Sequence, residues 1–317
     1  MRIIRGLPDS LSVVDCALAI GNFDGVHLGH QALLQETVRA ANLRGLVPAV
    51  LTFEPHPRDY FGRDTLDRIS TLRDKFDRIL ACGIQRVYVI RFDKDFASLT
   101  PVEFARDILS RGLHCRWVTV GENFTFGKAR SGNYDTLCEL GRHYNFETQS
   151  TPLLFHGSAR ISSSRVRAAM ALGDLFEVET ILGRPYSVTG HVVHGAKLGR
   201  NLGFPTLNQY VIAPGSNARP ALRGVFAVRI HGLDGTGTIY EGMASLGTKP
   251  TVTDKKRWLL ETNVFDWSGD AYGRIVRIEF VAKIRDEKKF SSLQELTAAI
   301  EHDKEQAYAV FGRSITR

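Results

Sequence analysis

The chain lacks the features that would take it out of the ordinary run of globular proteins. No apolar run reaches the roughly 18 residues a membrane-spanning helix needs, and the opening Met1-Arg2-Ile3-Ile4-Arg5-Gly6, followed by Pro8 and Asp9, is too short and too charged to read as a secretion signal. Cysteine is scarce: four in 317 residues, at 16, 82, 115 and 138, without a CxxC pair. Those spacings argue against a zinc site. Thiols in or beside apolar runs read as reduced core residues, which points to the cytoplasm. There is no internal repeat, no low-complexity tract, no lysine-rich tail and no basic stripe interleaved with aromatics, so nucleic acid is not the expected partner. A Walker A lysine and the Rossmann glycine fingerprint are both missing, as is any Ser–His or Cys–His nucleophile–base pair.

What is there is ordinary in bulk and specific in detail. Apolar residues make up 43% of the chain and charged residues 24%, and the length is enough for two domains. The net charge of +7 favours anionic ligands, among which small phosphorylated molecules suffice.

The most informative stretch is Gly21-Asn22-Phe23-Asp24-Gly25-Val26-His27-Leu28-Gly29-His30-Gln31. It follows the apolar run Cys16–Ile20 and precedes helical spacing at Leu33, Leu34, Val38 and Leu43, so it reads as strand, glycine turn and helix. His27 and His30 are expected on neighbouring positions of the first helical turn. A helix start presents unpaired N–H groups and the positive end of the peptide dipole, which hold phosphate. Imidazoles there can donate to charge developing on a phosphoryl oxygen, which suits nucleotidyl transfer.

Further short apolar runs end at Phe53, Phe92 and Val120, with helical stretches near 30–43, 69–82 and 101–112 between them. Thr100-Pro101-Val102-Glu103 has the residues of a capped helix start. Continuous apolar strands alternating with helices predict a parallel, doubly wound α/β sheet, whose ligands bind beyond the carboxyl ends of its strands. The turns that should line that cleft include Glu54-Pro55-His56-Pro57, which is either a rigid pocket frame or a plain connector, and Gly121–Arg130. The second turn is glycine-punctuated with two aromatics, a composition that could stack a flat ring and bind phosphate, or could be a mobile surface loop. Ile161-Ser162-Ser163-Ser164-Arg165-Val166-Arg167 opens a helix over Val166–Leu172; it is either a phosphate jaw, with its serines and Arg165 or Arg167 reaching the ligand, or an ordinary capped basic helix.

Beyond Gly183-Arg184-Pro185-Tyr186 the rhythm changes to strand-like runs with little helix, which predicts a small antiparallel barrel. Ser292–Glu295 is a capping box that starts a closing helix, with Leu296, Ala299, Ile300 and Val310 available to pack. The expected domains are therefore 1–182 and 183–317. His194–Asn208 suits a flap over a polyphosphate, with glycines at 195, 199 and 203 and basic side chains such as Lys197. Thr206 and Asn208 alternate, so on a strand their oxygens face one side and can share a magnesium ion. Glu261 stands in the apolar run 258–265, where a carboxylate is expensive unless paired or catalytic. It is either the base for an attacking alcohol or a rim glutamate in a salt bridge.

Two motif sets now agree. Gly21–Gln31, Phe53–Pro57, Asp93–Phe104, Gly121–Gly127 and Ile161–Arg167 resemble the amino-terminal half of the bifunctional riboflavin kinase/FMN adenylyltransferase family, the prokaryotic FAD synthetases. Gly183–Asn208, Gly224-Val225-Phe226, Gly242–Pro250, Glu261-Thr262 and Tyr272-Gly273 resemble its riboflavin kinase half. The resemblance implies that riboflavin, ATP and Mg2+ give FMN, and that FMN and a second ATP give FAD and pyrophosphate. It implies ATP phosphate contacts from His27 and His30, with Ser162, Ser163, Ser164 and Arg167 opposite, and nucleotide contacts from Gly21, Phe23, Asp24 and Asn123. For the kinase half it implies Gly195, Lys197 and Gly199 over the phosphates and Thr206 and Asn208 as metal ligands. Glu261 would be the base, and Arg285 would lie by the flavin. The partners would be small molecules, with no nucleic acid and no membrane, and the chain a monomer or weak oligomer. Three positions depart from the family pattern: Asn123 for aspartate, Leu207 for a small residue, and Asn263 where histidine is frequent. Two other readings remain: an adenylyltransferase whose barrel only binds flavin, and a non-catalytic nucleic-acid or flavin-storage module. A metal hydrolase built on His27, His30 and His56 fails on spacing.

Overall fold

A computed structural model describes residues 2–9, 13–62, 66–195, 203–212, 216–249 and 257–313. The chain divides into two compact units, Met1–Leu66 with Lys75–Ser162, and Asp67–Asp74 with Ser163–Arg317.

The first unit is built on a six-stranded sheet. In chain order its strands are β1 (Arg2–Arg5), β2 (Cys16–Ile20), β3 (Val47–Glu54), β5 (Arg86–Arg91), β6 (Cys115–Gly121) and β7 (Glu147–Thr151); the two-residue β4 (Asp67–Arg68) goes with the second unit. The spatial order is β1-β5-β3-β2-β6-β7, and every pair is parallel. Strand alternation separates two faces. Cys16, Leu18 and Ile20 of β2 join one core with Phe104, Ala105, Leu109 and Leu137. Those four come from the helical segment after Thr100 and from α6 (Tyr134–Tyr144). Ala17 and Ala19 face the other way, onto Leu33, Leu34, Ala40 and Ala41 of α1 (Leu28–Arg44) and Ile79 of α3 (Leu72–Ala81). Helices on both faces make the sheet doubly wound, as its apolar runs predict. The two short helices α2 (Pro57–Phe61) and α4 (Lys94–Ser98) follow β3 and β5, and a two-stranded hairpin, β8 (Phe155–His156) with β9 (Ala159–Arg160), follows β7.

The capping residues at Thr100 behave as expected, with Glu103 N–H on the Thr100 hydroxyl at 3.2 Å and the Glu103 carboxylate on Thr100 N–H at 2.8 Å. The helix beyond is a surprise: α5 (Pro101–Glu103) is a single turn that continues as a π-helix over Phe104–Gly112. All four cysteines are free. Cys16 and Cys115 are buried register partners of β2 and β6, and burial pushes the Cys115 thiol well above its ordinary value.

In the second unit α7 (Ser163–Leu172) and α8 (Leu175–Leu182) lead into six antiparallel strands: β10 (Ser187–His191), β11 (Leu207–Tyr210), β13 (Gly224–His231), β14 (Tyr240–Lys249), β15 (Arg257–Val264) and β16 (Ile275–Arg285). Their order is β10-β16-β13-β14-β15-β11, and a Val193↔Asn208 bridge nearly closes the barrel. Gln209, 1% exposed, strengthens the seam: its Nε2 donates to the carbonyls of Gly190 and Val276, both at 2.8 Å. The Asp67–Asp74 segment is fastened here, through β4 pairing with β12 (Arg219–Pro220), Tyr186 Oη on the Ile69 carbonyl at 2.8 Å, and Thr189 N–H on Asp74 at 3.1 Å.

The closing helix α9 (Leu293–Val310) begins at Ser292, whose hydroxyl takes Glu295 N–H at 3.2 Å. The glutamate reaches back to Ser291 N–H at 3.1 Å, one residue earlier than the capping box predicts. Val310 is 42% exposed, so it does not pack as expected. Ala307 and Tyr308 take its place beside Ile300, against Ala227, Met243 and Phe265 of the barrel.

Candidate active sites

In the first unit the chain runs from β2 outward to β3 on one side, and returns from β5 to β6 on the other. The crevice beyond the carboxyl ends of β2 and β6 is therefore a topological switch point, where open α/β sheets bind ligands. Two of the glycine turns singled out in the sequence sit there, one after each strand.

The turn after β2 is tightly built. Gly21 N–H holds the Leu51 carbonyl at 3.1 Å, and Phe23 (φ 51°), Gly25 (φ 85°) and Val26 (φ 43°) all take the left-handed conformation. A Cβ on Gly21 would stand 3.1 Å from the Phe23 ring, so glycine is what lets that ring fold under the strand end. Phe23 is wholly buried. Asp24 is buried in the same turn. The expectation for the histidines needs one correction: His27 is not on the first helical turn but is its N-cap, with extended backbone angles. Its Nδ1 accepts the His30 N–H at 3.3 Å, and the two rings stack with centroids 3.6 Å apart. Because Nδ1 accepts, a neutral His27 carries its proton on Nε2 and can donate from there. Phe23 meets His30 edge-on at 5.2 Å. A Cβ on Gly29 would lie 3.2 Å from the His27 ring and 4.0 Å from Ile161, the residue before Ser162.

Lys75 escaped the sequence reading, since a lysine on an amphipathic helix ordinarily reads as solvated. It is buried, and its Nζ donates to the Asn22 carbonyl at 3.5 Å and to Thr52 Oγ1 at 3.4 Å. The turn after β6 differs from expectation. Phe124 and Phe126 stack on each other, with centroids 5.4 Å apart, and pack into the core with Phe104; they form no open platform for a flat ring. Asn123 is exposed at the tip. His56 caps α2 by accepting Arg58 N–H at 3.1 Å, and among the described residues no group of three or more His, Cys, Asp or Glu could hold a metal.

The serine–arginine segment forms α7 from Ser163, three residues earlier than expected, with Ser164 in its first turn. Arg165 is tied to Glu177 of α8 at 2.5 Å, and Arg167 Nε donates to the Asp67 carbonyl at 2.7 Å.

In the barrel, Asn208 of β11 lies directly opposite Glu261 of β15, which in turn lies opposite Ser245 of β14. Directly paired residues share a face and bring their Cβ atoms to about 5 Å, so the expected metal residue and the expected base are neighbours. Asn208 Nδ2 donates to the Thr206 carbonyl at 3.2 Å, which leaves its buried Oδ1 without a hydrogen-bond partner among the described residues. A Cβ on Gly195 would come within 2.6 Å of that amide, so only glycine fits over it. An orphaned amide oxygen and a carboxylate across the ladder are oxygen donors of the kind that fit a hard cation such as Mg2+, and Thr206, just ahead of β11, turns its carbonyl to the Asn208 amide. Lys197 and Gly199 lie outside the described residues. Arg285 pairs its Nε and Nη2 with Asp303 of α9 and its Nη1 with the Asp286 carbonyl. Asn263, a departure from the family pattern, donates from Nδ2 to the Pro205 carbonyl at 2.8 Å.

A nucleotidyltransferase-like parallel sheet joined to a riboflavin-kinase-like barrel is what these elements define. Residues 11–165 match the family model described as FAD synthetase, and residues 182–311 match the model described as riboflavin kinase. The chain is 39% identical over 315 residues to the bifunctional riboflavin kinase/FMN adenylyltransferase of Escherichia coli K12, covering 98% of each chain. To the Bacillus subtilis protein of the same name it is 36% identical, over 93% of this chain and 92% of that one. A crystal structure described as a macrolide-efflux protein from Streptococcus pneumoniae is similar over 97% of this chain and 98% of that one, with 27% identity and a TM-score of 0.71. The chain belongs to the bifunctional riboflavin kinase/FMN adenylyltransferase family. Among the described residues no helix is long and apolar enough to cross a membrane.

Proposed function

We propose that the chain carries out two consecutive phosphate transfers: riboflavin and ATP give FMN and ADP, and FMN and ATP give FAD and pyrophosphate. Residues 1–182 serve the second reaction and 183–317 the first. The observation that supports the reading is a pair of polar clusters in one chain, each suited to phosphate: His27 stacked on His30 at a helix start, and Asn208 paired across the ladder with Glu261.

In the adenylyl transfer an FMN phosphate oxygen attacks the α-phosphorus of ATP, and the bond to the bridging oxygen of the β-phosphate breaks. His27, through Nε2–H, and His30 donate to the oxygens on which charge accumulates. The turn backbone at Gly21, Phe23 and Asp24, together with Asn123, holds the nucleotide. Ser162, Ser163, Ser164 and Arg167 hold its phosphates. Such chemistry needs positioning and charge stabilisation rather than a covalent intermediate.

In the kinase reaction the ribityl hydroxyl of riboflavin attacks the γ-phosphorus, the bond from that phosphorus to the β–γ bridging oxygen breaks to release ADP, and the hydroxyl gives its proton to Glu261. Thr206 and Asn208 would hold Mg2+, which when bound neutralises phosphate charge. Gly195, Lys197 and Gly199 cover the phosphates, and Arg285 lines the flavin side. Chromatography of the products from riboflavin, ATP and Mg2+ tests the whole: FMN and then FAD must both appear. FAD formed only when FMN is supplied would leave the barrel as a flavin-binding module, and no turnover of either flavin would overturn the reading.

A further inference from the structure

The β11–β15 ladder ends at Leu207↔Thr262. One step further the backbones would pair Thr206 with Asn263, but there a side chain takes over. Asn263 is 8% exposed, and its Nδ2 donates to the Pro205 carbonyl at 2.8 Å. Pro205 has no N–H, so that carbonyl is the only backbone group it can offer a neighbouring strand. Thr206, the next residue, returns its own carbonyl to Asn208 Nδ2, and Asn208 stands across from Glu261. Glu261 and Asn263 lie two residues apart on β15, on one face of the strand. The connections form a closed circuit: Glu261 along β15 to Asn263, across to Pro205, along the chain to Thr206 and Asn208, and back across the ladder to Glu261.

We propose that Asn263 is a positioning residue for riboflavin phosphorylation. By fixing the Pro205 carbonyl it sets where Thr206 stands relative to Asn208 and Glu261, so that the two oxygens offered to a metal–phosphate group converge on the side where the carboxylate waits. The inference rests on the kinase reading of the barrel. Asparagine serves because its Nδ2 stands one bond beyond Cγ; histidine places Nδ1 at the same remove from Cβ and can also donate. Leucine has nearly the shape of asparagine and no donor.

The test compares Asn263→Leu with Asn263→His in the full chain. The first readout is independent of turnover: broadening of the Asn208 side-chain amide resonance as Mn2+ is added with ADP. The leucine variant should need about tenfold more Mn2+ for the same broadening, and the histidine variant should match the parent. The second readout is the Mg2+ concentration that half-activates riboflavin phosphorylation, which should rise by a similar factor in Asn263→Leu alone. Adenylyl transfer should stay unchanged in both variants. Equal behaviour of leucine variant and parent in the Mn2+ titration overturns the proposal. So does equal impairment of the leucine and histidine variants, since that marks a packing role only. Calorimetry checks that each variant is folded, and Asn263→Ala replaces Asn263→Leu should the latter unfold. A parent chain that broadens at Asn208 with Mn2+ yet phosphorylates no riboflavin would sink the kinase reading and leave the tie itself tested.

Discussion

Arg285 grips Asp303 through two parallel hydrogen bonds, Nε to Oδ1 and Nη2 to Oδ2, each 2.7 Å long. The pair joins the last barrel strand to the closing helix, and the Asp303 side chain is almost wholly buried. Bidentate pairs of this kind are directional as well as strong, and a lysine cannot reproduce them. Asp303→Ala should destabilise the barrel unit by about 3 kcal/mol, the low end for breaking a buried pair because the arginine side is partly exposed. Urea denaturation followed by far-UV circular dichroism measures it; a loss under 1 kcal/mol would show that the helix is held by Ala307 and Tyr308 without the ion pair.

The two sites should fail independently. His30→Ala removes one donor from the nucleotide turn, and a donor of oxyanion-hole type is worth roughly 3–4 kcal/mol. FAD formation from FMN should therefore fall by about a hundredfold or more, while riboflavin phosphorylation stays near normal. Glu261→Ala should give the reverse split. Paired assays on each variant decide, and a parallel loss of both activities in either one would refute separate sites.

Where chemistry and backbone geometry demand the same residue types, the sequence was readable. The five-residue run of β2, the glycines after it and the capping threonine at 100 each permit few alternatives, and the parallel sheet followed from them. The neighbouring placement of Asn208 and Glu261 was not readable, because strand register depends on pairings 53 residues apart in the chain. The two phenylalanines after β6 were misread for a physical reason: an aromatic in a polar loop looks the same whether it waits for a ligand or turns into the core. Phe126 turns in because Gly132 leaves room for its ring, while the neighbouring Gly127 lies against Pro101, and nothing local in the sequence says which way a ring points. Lys75 and Asp303 were invisible for the opposite reason. Charged residues on helices are usually solvated, and only the fold shows that these two are buried.

Those two glycines give a prediction of their own. A Cβ on Gly132 would lie 2.8 Å from the Phe126 ring, and one on Gly127 would lie 2.8 Å from Pro101 at a backbone φ of 73°. Gly127→Ala combines a left-handed conformation with a steric clash, and should destabilise the first unit by about 3 kcal/mol. Gly132→Ala carries the clash without the strain, and should cost about 1–2 kcal/mol. Thermal melts of the two variants should rank in that order; the reverse ranking would mean that the Pro101 contact relaxes freely.

His231 sits between Arg277 and Glu279, and the arginine fixes its chemistry. A guanidinium only donates, so at 3.0 Å from Arg277 Nη2 the Nδ1 of His231 must accept, and the ring proton sits on Nε2, 3.2 Å from the Glu279 carboxylate. Burial, and then the positive charge of Arg277, hold the His231 pKa below its ordinary 6.5, against the opposing pull of Glu279; Arg229 adds a second cation nearby. A depressed pKa means that the unfolded chain takes up the proton first as the pH falls. The stabilising contribution of the neutral ring is therefore complete above pH 6.5 and is lost as the pH drops through the folded-state value. Nuclear magnetic resonance titration of the His231 ring should give a midpoint below 6.5. Stability from urea melts should decline as the pH falls below 6.5, and His231→Phe should flatten that part of the slope. A midpoint above 6.5 would mean that Glu279, rather than burial and Arg277, governs the ring.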